Sequence, residues 1–130
     1  MIMVYLAARY GRKDELKEYT RQLTEYGWIT TSRWLDTTPA MEAGPGRAMK
    51  MAMWDLHDIK EADVFVGFLE DNNDGAKGRG GRHVELGYAL GLGKPVYLIG
   101  KPENVFHYLP QVLLYPDWSS FIKVVETNSQ

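Results

Sequence analysis

A carboxylate, Glu85, follows a basic, glycine-rich segment at the point where a helix is predicted to begin. The run from Gly78 to Glu85 reads GRGGRHVE. An acid at the start of a helix can act as a nucleophile, because free N–H groups and the positive end of the helix dipole favour its ionised form. Glycines let a substrate come close to the backbone. An acid in the first helical turn is also ordinary helix chemistry, so Glu85 alone leaves both interpretations open.

Other polar residues are predicted to converge on Glu85. The loops after Ala8, after Leu69 and before the Gly81 helix should open on one edge of a parallel sheet. The side chains expected there are Tyr5, Arg9, Tyr10, Arg12, Asn73, Asp74, Arg79, Arg82, His83 and Glu85. A cationic rim around a carboxylate indicates an anionic, sugar-containing substrate. The same arginines would also suit a solvated surface or an interface.

Alternating strand and helix patterns must position these residues. Apolar, β-rich runs predict strands at residues 1–8, 28–35, 63–69, 95–100 and 112–115. Apolar residues at helical spacing predict helices at residues 14–26, 48–62, 81–93 and 117–126, with a loop at 39–47. The order predicts right-handed crossovers. We therefore expect an α/β chain forming one domain, residues 1–130, with a three-layer Rossmann-like (flavodoxin-like) sandwich and a central parallel sheet of about five strands.

A methionine-rich stripe lies on the predicted helix at residues 48–62. Met49, Ala52, Met53, Leu56 and Ile59 share one side of that helix, and Asp55 and Asp58 share another. Flexible apolar side chains of this kind most simply fill a core, and the two acids could form an ordinary charged face. We therefore expect the stripe to be buried.

Composition excludes several functional classes. The chain has 130 residues, a net charge of −2 and no cysteine. Nucleic-acid binding needs a strongly basic surface, and disulfide frameworks and thiolate zinc sites need cysteine. The three histidines, His57, His83 and His107, are scattered and form no recognisable metal signature. We expect no metal, no cofactor, no membrane segment and a cytoplasmic location.

Short motifs over most of the chain carry a family signal. They are Val4-Tyr5-Leu6-Ala7, Asp55-Leu56 with Ile59, Ala62-Asp63, Asn73-Asp74-Gly75, and Gly81-x-x-x-Glu85-x-Gly87-Tyr88-Ala89 followed by Gly93-Lys94-Pro95-Val96. The last block is the most specific. Together they resemble the nucleoside 2-deoxyribosyltransferases and the related deoxynucleoside monophosphate N-glycosidases.

The resemblance implies a role for individual residues. Glu85 is similar to the family glutamate that attacks the anomeric carbon and forms a glycosyl ester, and Tyr5 to the tyrosine that orients it. Asp55 resembles the aspartate that holds the sugar or the base, and Asn73 or Asp74 resembles the loop residue that helps the base leave. The implied substrate contacts come from Ala7, Arg9, Tyr10, Arg12, Asn73, Asp74, Gly81, Arg82 and His83. His83 could contact phosphate or simply cap the helix.

The sequence also departs from the family. Many members have serine or threonine where Arg82 stands, and the preceding loop is longer here. In the monophosphate hydrolases the first loop and this turn hold the 5'-phosphate, and both are basic in this chain. The resemblance therefore implies a nucleoside or, preferably, a nucleoside 5'-monophosphate substrate, with water or a free nucleobase as acceptor. It also implies a homodimer or higher homo-oligomer.

Two functional classes stay open from the sequence. The first is an enzyme that cleaves the N-glycosidic bond through Glu85, and the second is a nucleotide-binding sensor without catalysis. A dinucleotide oxidoreductase is disfavoured because the glycines at positions 75, 78, 80 and 81 do not space as G-x-G-x-x-G. The base, the sugar and the acceptor are not determined by these patterns.

Overall fold

The computed structural model describes residues 1–70 and 80–129, and its centre is a five-stranded sheet with the order β2-β1-β3-β4-β5. All four strand pairs are parallel. The strands are β1 (Ile2–Ala7), β2 (Trp28–Thr30), β3 (Val64–Phe68), β4 (Val96–Ile99) and β5 (Val112–Tyr115). This order changes direction between β1 and β3, where α/β sheets bind ligands beyond the carboxyl ends of their strands.

Helices cover both faces of the sheet. They are α1 (Lys13–Thr24), α2 (Pro39–Glu42), α3 (Arg47–Glu61), α4 (Gly81–Gly91) and α5 (Trp118–Asn128), and short 3₁₀ turns span Tyr10–Arg12, Arg33–Asp36 and Val105–Tyr108. Apolar residues of α1 and α5 pack with one face of the sheet, and those of α3 and α4 pack with the other. Every residue of β3 is buried, as expected for a strand covered on both sides. The predicted three-layer sandwich is confirmed.

The second strand is much shorter than predicted. The expected strand at residues 28–35 ends at Thr30, and a 3₁₀ turn begins at Arg33. The N–H of Leu6 donates to Ser32 Oγ at 2.7 Å, and the indole N–H of Trp34 donates to the Leu6 carbonyl at 2.8 Å. Side chains thus replace the backbone ladder, and the chain leaves the sheet at this point.

Part of the predicted loop at residues 39–47 is helical. The one-turn helix α2 begins at Pro39, and the Thr38 side chain accepts a hydrogen bond from the N–H of Met41. Proline in the first turn and threonine at the N-cap are a standard start for a helix. This helical turn borders the cleft that contains Glu85.

The methionine stripe of α3 is not core. Met49 is 67% exposed and Met53 is 63% exposed, whereas Ile59 is buried. The expectation that the stripe fills the core is wrong, because α3 turns only its C-terminal end, around Ile59, into the packed layer.

Within residues 1–70 and 80–129, no helix combines the length and apolarity needed to cross a membrane.

Candidate active site

A cleft of about 590 Å³ opens at the carboxyl ends of β1 and β3. One side is formed by Arg9 and Tyr10 after β1 and by Trp34. The other is formed by one face of α3 and by the start of α4. The cleft lies where the strand order reverses, so the topology alone would place a ligand site there.

Glu85 lies in this cleft and is held by Tyr5. The Tyr5 side chain comes from the middle of β1, is fully buried, and stacks on Phe65 with ring centroids 5.8 Å apart. Its hydroxyl donates a hydrogen bond to Glu85 Oε2. Burial, followed by the charge of Glu85, raises the pKa of Tyr5 well above its usual value, so the phenol stays protonated and keeps donating.

Helix α4 presents Glu85 differently from the sequence-based expectation. The helix begins at Gly81, so Glu85 is in its second turn and not its first. Gly80 precedes the helix with φ of +85°, a conformation that favours glycine. The helix dipole does not dominate the charge state of Glu85, because burial raises its pKa to about 8. The hydrogen bond from Tyr5 opposes that rise.

Asp55 forms a carboxyl pair with Glu85. It projects from α3 into the same cleft, and the two side chains share a hydrogen bond. Burial, followed by the negative charge of Asp58, raises the pKa of Asp55 to about 6. A carboxyl pair of this kind holds one proton over the intervening pH range. Because Glu85 has the higher pKa, the proton lies mainly on Glu85 over that range and Asp55 carries the negative charge.

The predicted cationic rim is largely neutralised by glutamates. Arg9 Nε lies 2.8 Å from Glu70 Oε1, and Arg12 Nη1 lies 2.8 Å from Glu70 Oε2. Arg12 also pairs with Glu15 and packs over the Phe68 ring. Glu70 is only 8% exposed. Buried carboxylates of this kind fix the guanidinium groups in place, and only Arg9 of these two arginines lines the cleft.

Arg82 is paired in the same way with Glu103. Its two terminal nitrogens lie 2.5 and 2.7 Å from the carboxylate oxygens, and both side chains are about nine-tenths buried. Glu103 Oε2 also accepts the N–H of Glu70 at 2.9 Å. Arg82 lines the cleft, so its free N–H groups can still reach a ligand while Glu103 holds the side chain.

The histidines are closer together than the sequence suggests. His83 and His107 are distant in sequence, but their rings stack with centroids 5.9 Å apart, and His107 is fully buried. The Glu103 N–H donates to His107 Nδ1 at 2.9 Å. Among the described residues, no three potential metal ligands converge.

The structure brings together most, but not all, of the predicted site residues. Tyr5, Asp55 and Glu85 meet, and Arg9, Tyr10, Gly81 and Arg82 line the cleft. Ala7 is buried in β1, while Arg12 and His83 border Glu70 and Glu103 and are not cleft-lining. Asn73, Asp74 and Arg79 lie outside the described residues.

Several cleft and supporting residues were missed from the sequence. Trp34 and Glu42 line the cleft, and Glu70 and Glu103 hold its arginines. Glu70 and Glu103 follow the ends of β3 and β4, which is the edge where parallel strands collect functional residues. Their position directly after these strands could have indicated from the sequence that Glu70 and Glu103 belong to the site. Trp34 and Glu42 were hidden by the wrong assignments at residues 28–35 and 39–47.

Comparison with known proteins bears on the fold and the family. The sequence matches no family model, and a search of curated proteins finds no match. A solved 2-deoxyribosyltransferase from the psychrotolerant bacterium Bacillus psychrosaccharolyticus is similar in structure, with a TM-score of 0.73. It is 26% identical, and the match covers 92% of this chain and 90% of that one. The resemblance to the nucleoside 2-deoxyribosyltransferase family is confirmed.

A second solved structure has the same fold. The CMP N-glycosidase BcmB of Clostridium botulinum matches with a TM-score of 0.63 and 21% identity, over 96% of this chain and 98% of that chain. Both neighbours are enzymes, one a transferase and the other a glycosidase. This chain thus combines the fold of these two structures with a buried carboxyl pair in its cleft.

Proposed function

We propose that this chain is an enzyme that cleaves the N-glycosidic bond of a nucleoside or, preferably, of its 5'-monophosphate. The observation that carries the proposal is the Glu85 carboxyl group, held by the Tyr5 hydroxyl and paired with Asp55 inside the cleft. The two structural neighbours, a 2-deoxyribosyltransferase and a CMP N-glycosidase, support the same class of reaction.

The reaction has two steps. In the first, an oxygen of ionised Glu85 bonds to C1' of the sugar while the C1'–N bond breaks, and the departing base keeps the electron pair and takes up a proton. The carboxylate stabilises the oxocarbenium-like charge that develops on the sugar. In the second step, the oxygen of water or the nitrogen of another base attacks C1', loses its proton and releases Glu85. Water makes the protein an N-glycosidase, and a base makes it a transferase.

The proposed role of each supporting residue follows from its contacts. The Tyr5 hydroxyl orients the Glu85 carboxylate through the hydrogen bond described above. Asp55 has the lower pKa of the pair, so it is proposed to take up the proton of Glu85 as Glu85 attacks C1', and it can then donate a hydrogen bond to the sugar or to the base. Asn73 or Asp74 remains the proposed aid to departure of the base. Tyr10 and Gly81 line the cleft and are proposed to contact the substrate.

A panel assay tests the proposal. Nucleosides and their 5'-monophosphates are incubated with the protein, with and without a second free base, and released base and new nucleosides are separated by chromatography. Free base appearing without an acceptor indicates hydrolysis, and a new nucleoside indicates transfer. Binding without either product would favour the alternative, a nucleotide sensor without catalysis.

Preference for a 5'-phosphate is supported by the basic end of the cleft. Arg9 and Arg82 line it beside Gly80 and Gly81, and the N-terminus of α4 there favours an anion. Arg9→Ala is expected to raise KM for a monophosphate about 10-fold while changing KM for the matching nucleoside little. Arg12→Ala is the matched control. Arg12 is the other arginine that pairs with Glu70, but it does not line the cleft. Equal effects of Arg9→Ala on both substrates would contradict the phosphate preference.

The carboxyl pair predicts a bell-shaped pH dependence. The pKa values of about 6 for Asp55 and about 8 for Glu85 leave one proton on the pair between them. Below that window both groups are protonated, so Asp55 cannot take the proton of Glu85 to make it a nucleophile. Above the window the pair has lost its proton, so no carboxyl hydrogen-bond donor is left for the sugar or the base. We expect kcat/KM for base release to peak inside the window. A profile that stays flat from about pH 5 to about pH 9 would contradict this assignment.

We further propose a homo-oligomer. Exposed apolar side chains lie on the two helices that line the cleft, with Met49, Met53 and Leu56 on α3 and Val84 on α4. Exposed apolar surface often marks a protein–protein contact. Light scattering should give a mass of at least twice that of one 14.8 kDa chain, and the mass of a single chain would contradict the proposal.

A further inference from the structure

The cleft is lined by groups of both charges. Arg9, Arg82 and the N-terminus of α4 line it, and so do the acids Asp55, Glu85 and Glu42. Apolar side chains line it as well, among them Trp34, Met51, Leu56 and Val84. A substrate that spans the cleft is therefore bound best when one end is anionic and the other end offers hydrogen-bond donors.

Glu42 is the acid in the cleft lining that the proposed chemistry does not use. It is the last residue of α2, the short helix that Thr38 caps and Pro39 begins. Glu42 Oε1 lies 3.1 Å from the Thr37 hydroxyl, which shares its single hydrogen with the Trp34 carbonyl at 2.8 Å, and the Lys13 ammonium group donates to both oxygens of Thr37. These contacts hold the carboxylate at the edge of the cleft.

Among the residues that the structure describes, Glu42 pairs directly with no arginine or lysine, and the Lys13 ammonium group reaches it only through the Thr37 hydroxyl. Within residues 1–70 and 80–129 Glu42 takes part in no ion pair, whereas Glu70 and Glu103 are each paired with arginine. Its negative charge also contributes to raising the pKa of Asp55, so the two acids face the same space. One carboxylate oxygen of Glu42 therefore remains available to a ligand.

Flat aromatic surfaces accompany this acid. Trp34 lines the cleft, and its ring lies 6.4 Å from that of Tyr10, which also lines it. Aromatic faces stack on the flat faces of nucleobases with little regard to their identity. A carboxylate at the edge of such a surface reads the hydrogen-bonding edge of the base, because an ionised carboxylate only accepts hydrogen bonds.

We propose that Glu42 selects bases that carry an exocyclic amino group, such as cytosine and adenine, over the oxo bases uracil and hypoxanthine. An amino group donates to the free carboxylate oxygen, whereas a carbonyl oxygen in the same position faces it as a second acceptor and is repelled. The inference rests on the proposed function for the orientation of the substrate, with the phosphate towards Arg9 and Arg82, the sugar at Glu85 and the base towards Glu42.

A binding experiment in a background without turnover tests Glu42 separately from catalysis. Dissociation constants are measured by calorimetry for CMP against UMP and for AMP against IMP, each as the ribo- and 2'-deoxyribonucleotide, on Glu85→Gln and on Glu85→Gln/Glu42→Gln. The amino nucleotide is expected to bind at least about 10-fold tighter to the first variant, and the ratio should fall to within about 3-fold in the second. Glutamine at position 42 keeps an acceptor for Thr37 and adds a donor that tolerates a carbonyl.

Glu85→Gln/Glu126→Gln is the matched control, since it removes an equal charge from exposed α5 on the other face of the sheet. It should keep the amino-over-oxo ratio of Glu85→Gln. Equal binding of amino and oxo nucleotides to Glu85→Gln, a ratio unaltered by Glu42→Gln, or no binding of any of these nucleotides would overturn the inference. Failure of the wild-type protein to release base would overturn the proposed function alone, because the binding ratios do not depend on turnover.

Discussion

Replacing Glu85 with glutamine is expected to reduce the rate of base release by a factor of about 10⁴ or more, as removal of a covalent nucleophile does in other enzymes. Glutamine has nearly the same volume and can still accept the hydrogen bond from Tyr5, so the fold and the cleft should persist. What is lost is the anionic oxygen that bonds to C1'. The measurement is single-turnover release of base, followed by chromatography, for the best substrate of the panel.

Two observations separate a nucleophile from a residue that only binds. With the wild-type protein, rapid acid quenching followed by mass spectrometry should show the mass of one glycosyl group added to the peptide that contains Glu85, and Glu85→Gln should show none. Glu61→Gln, which removes an exposed carboxylate at the end of α3, should behave as wild type. Base release by Glu85→Gln within about 10-fold of wild type would exclude covalent catalysis at this position.

Glu85→Gln should also show how the buried Glu85 carboxyl group affects the free energy of unfolding. Burial holds the pKa of Glu85 well above that of an exposed glutamate, so ionising this group opposes folding. The amide has no such charge. Functional sites commonly retain groups that are unfavourable for stability, and here the unfavourable group is the one on which the proposed reaction depends.

Much of the fold could be predicted from the sequence because the sheet is parallel and buried. The apolar run ending at Phe68 is covered on both faces, so every residue of β3 had to be apolar or small. Alternation of such runs with amphipathic helices restricts the topology to a few right-handed arrangements. The positions of β4 and β5 were also predicted, because Lys94-Pro95 stands directly before β4 and an aromatic helix follows β5.

The segment after β2 could not be predicted, because side-chain hydrogen bonds between distant residues determine its path. Ser32 and Trp34 bond to the backbone of Leu6, and the N–H of Arg33 donates to Asp58 Oδ2 at 3.1 Å. A local pattern of β-branched residues carries no information about partners 25 residues away or more. The same difficulty hid Trp34 and Glu42, which belong to this segment and to the turn after it.

Glu85 and Asp55 were each identified from the sequence through the family motifs, but neither their pairing nor the charge balance around them was predicted. Arg9 and Arg82 were expected as free cations, and each is held by a buried glutamate. The partner of Arg82 is 21 residues away and lies after another strand. A count of basic residues in a loop therefore overestimates the positive charge that a ligand encounters, because buried acids from other loops can cancel it.

The Arg82–Glu103 pair predicts a large effect on stability. Glu103→Ala is expected to lower the free energy of unfolding by roughly 3 kcal/mol, because it leaves a buried guanidinium without its partner. It also removes the acceptor of the Glu70 N–H. Chemical denaturation measures the change. Glu18→Ala is the matched control, since Glu18 pairs with Arg21 at 2.5 Å but both side chains are at least half exposed. An equal, small change in both variants would contradict the structural role of Glu103.

Glu103→Gln distinguishes the contribution of charge from that of shape. The one carbonyl oxygen of glutamine can still accept hydrogen bonds from the Glu70 N–H and from Arg82 Nη1, but its NH2 group cannot accept from Arg82 Nη2 and it no longer cancels the positive charge of Arg82. Because Arg82 lines the cleft, the added net charge should strengthen binding of a nucleoside monophosphate several-fold while the free energy of unfolding falls. Binding of the matching nucleoside should change little. Opposite changes in stability and monophosphate affinity would mean that Glu103 holds Arg82 in position while reducing the attraction that Arg82 exerts on a phosphate.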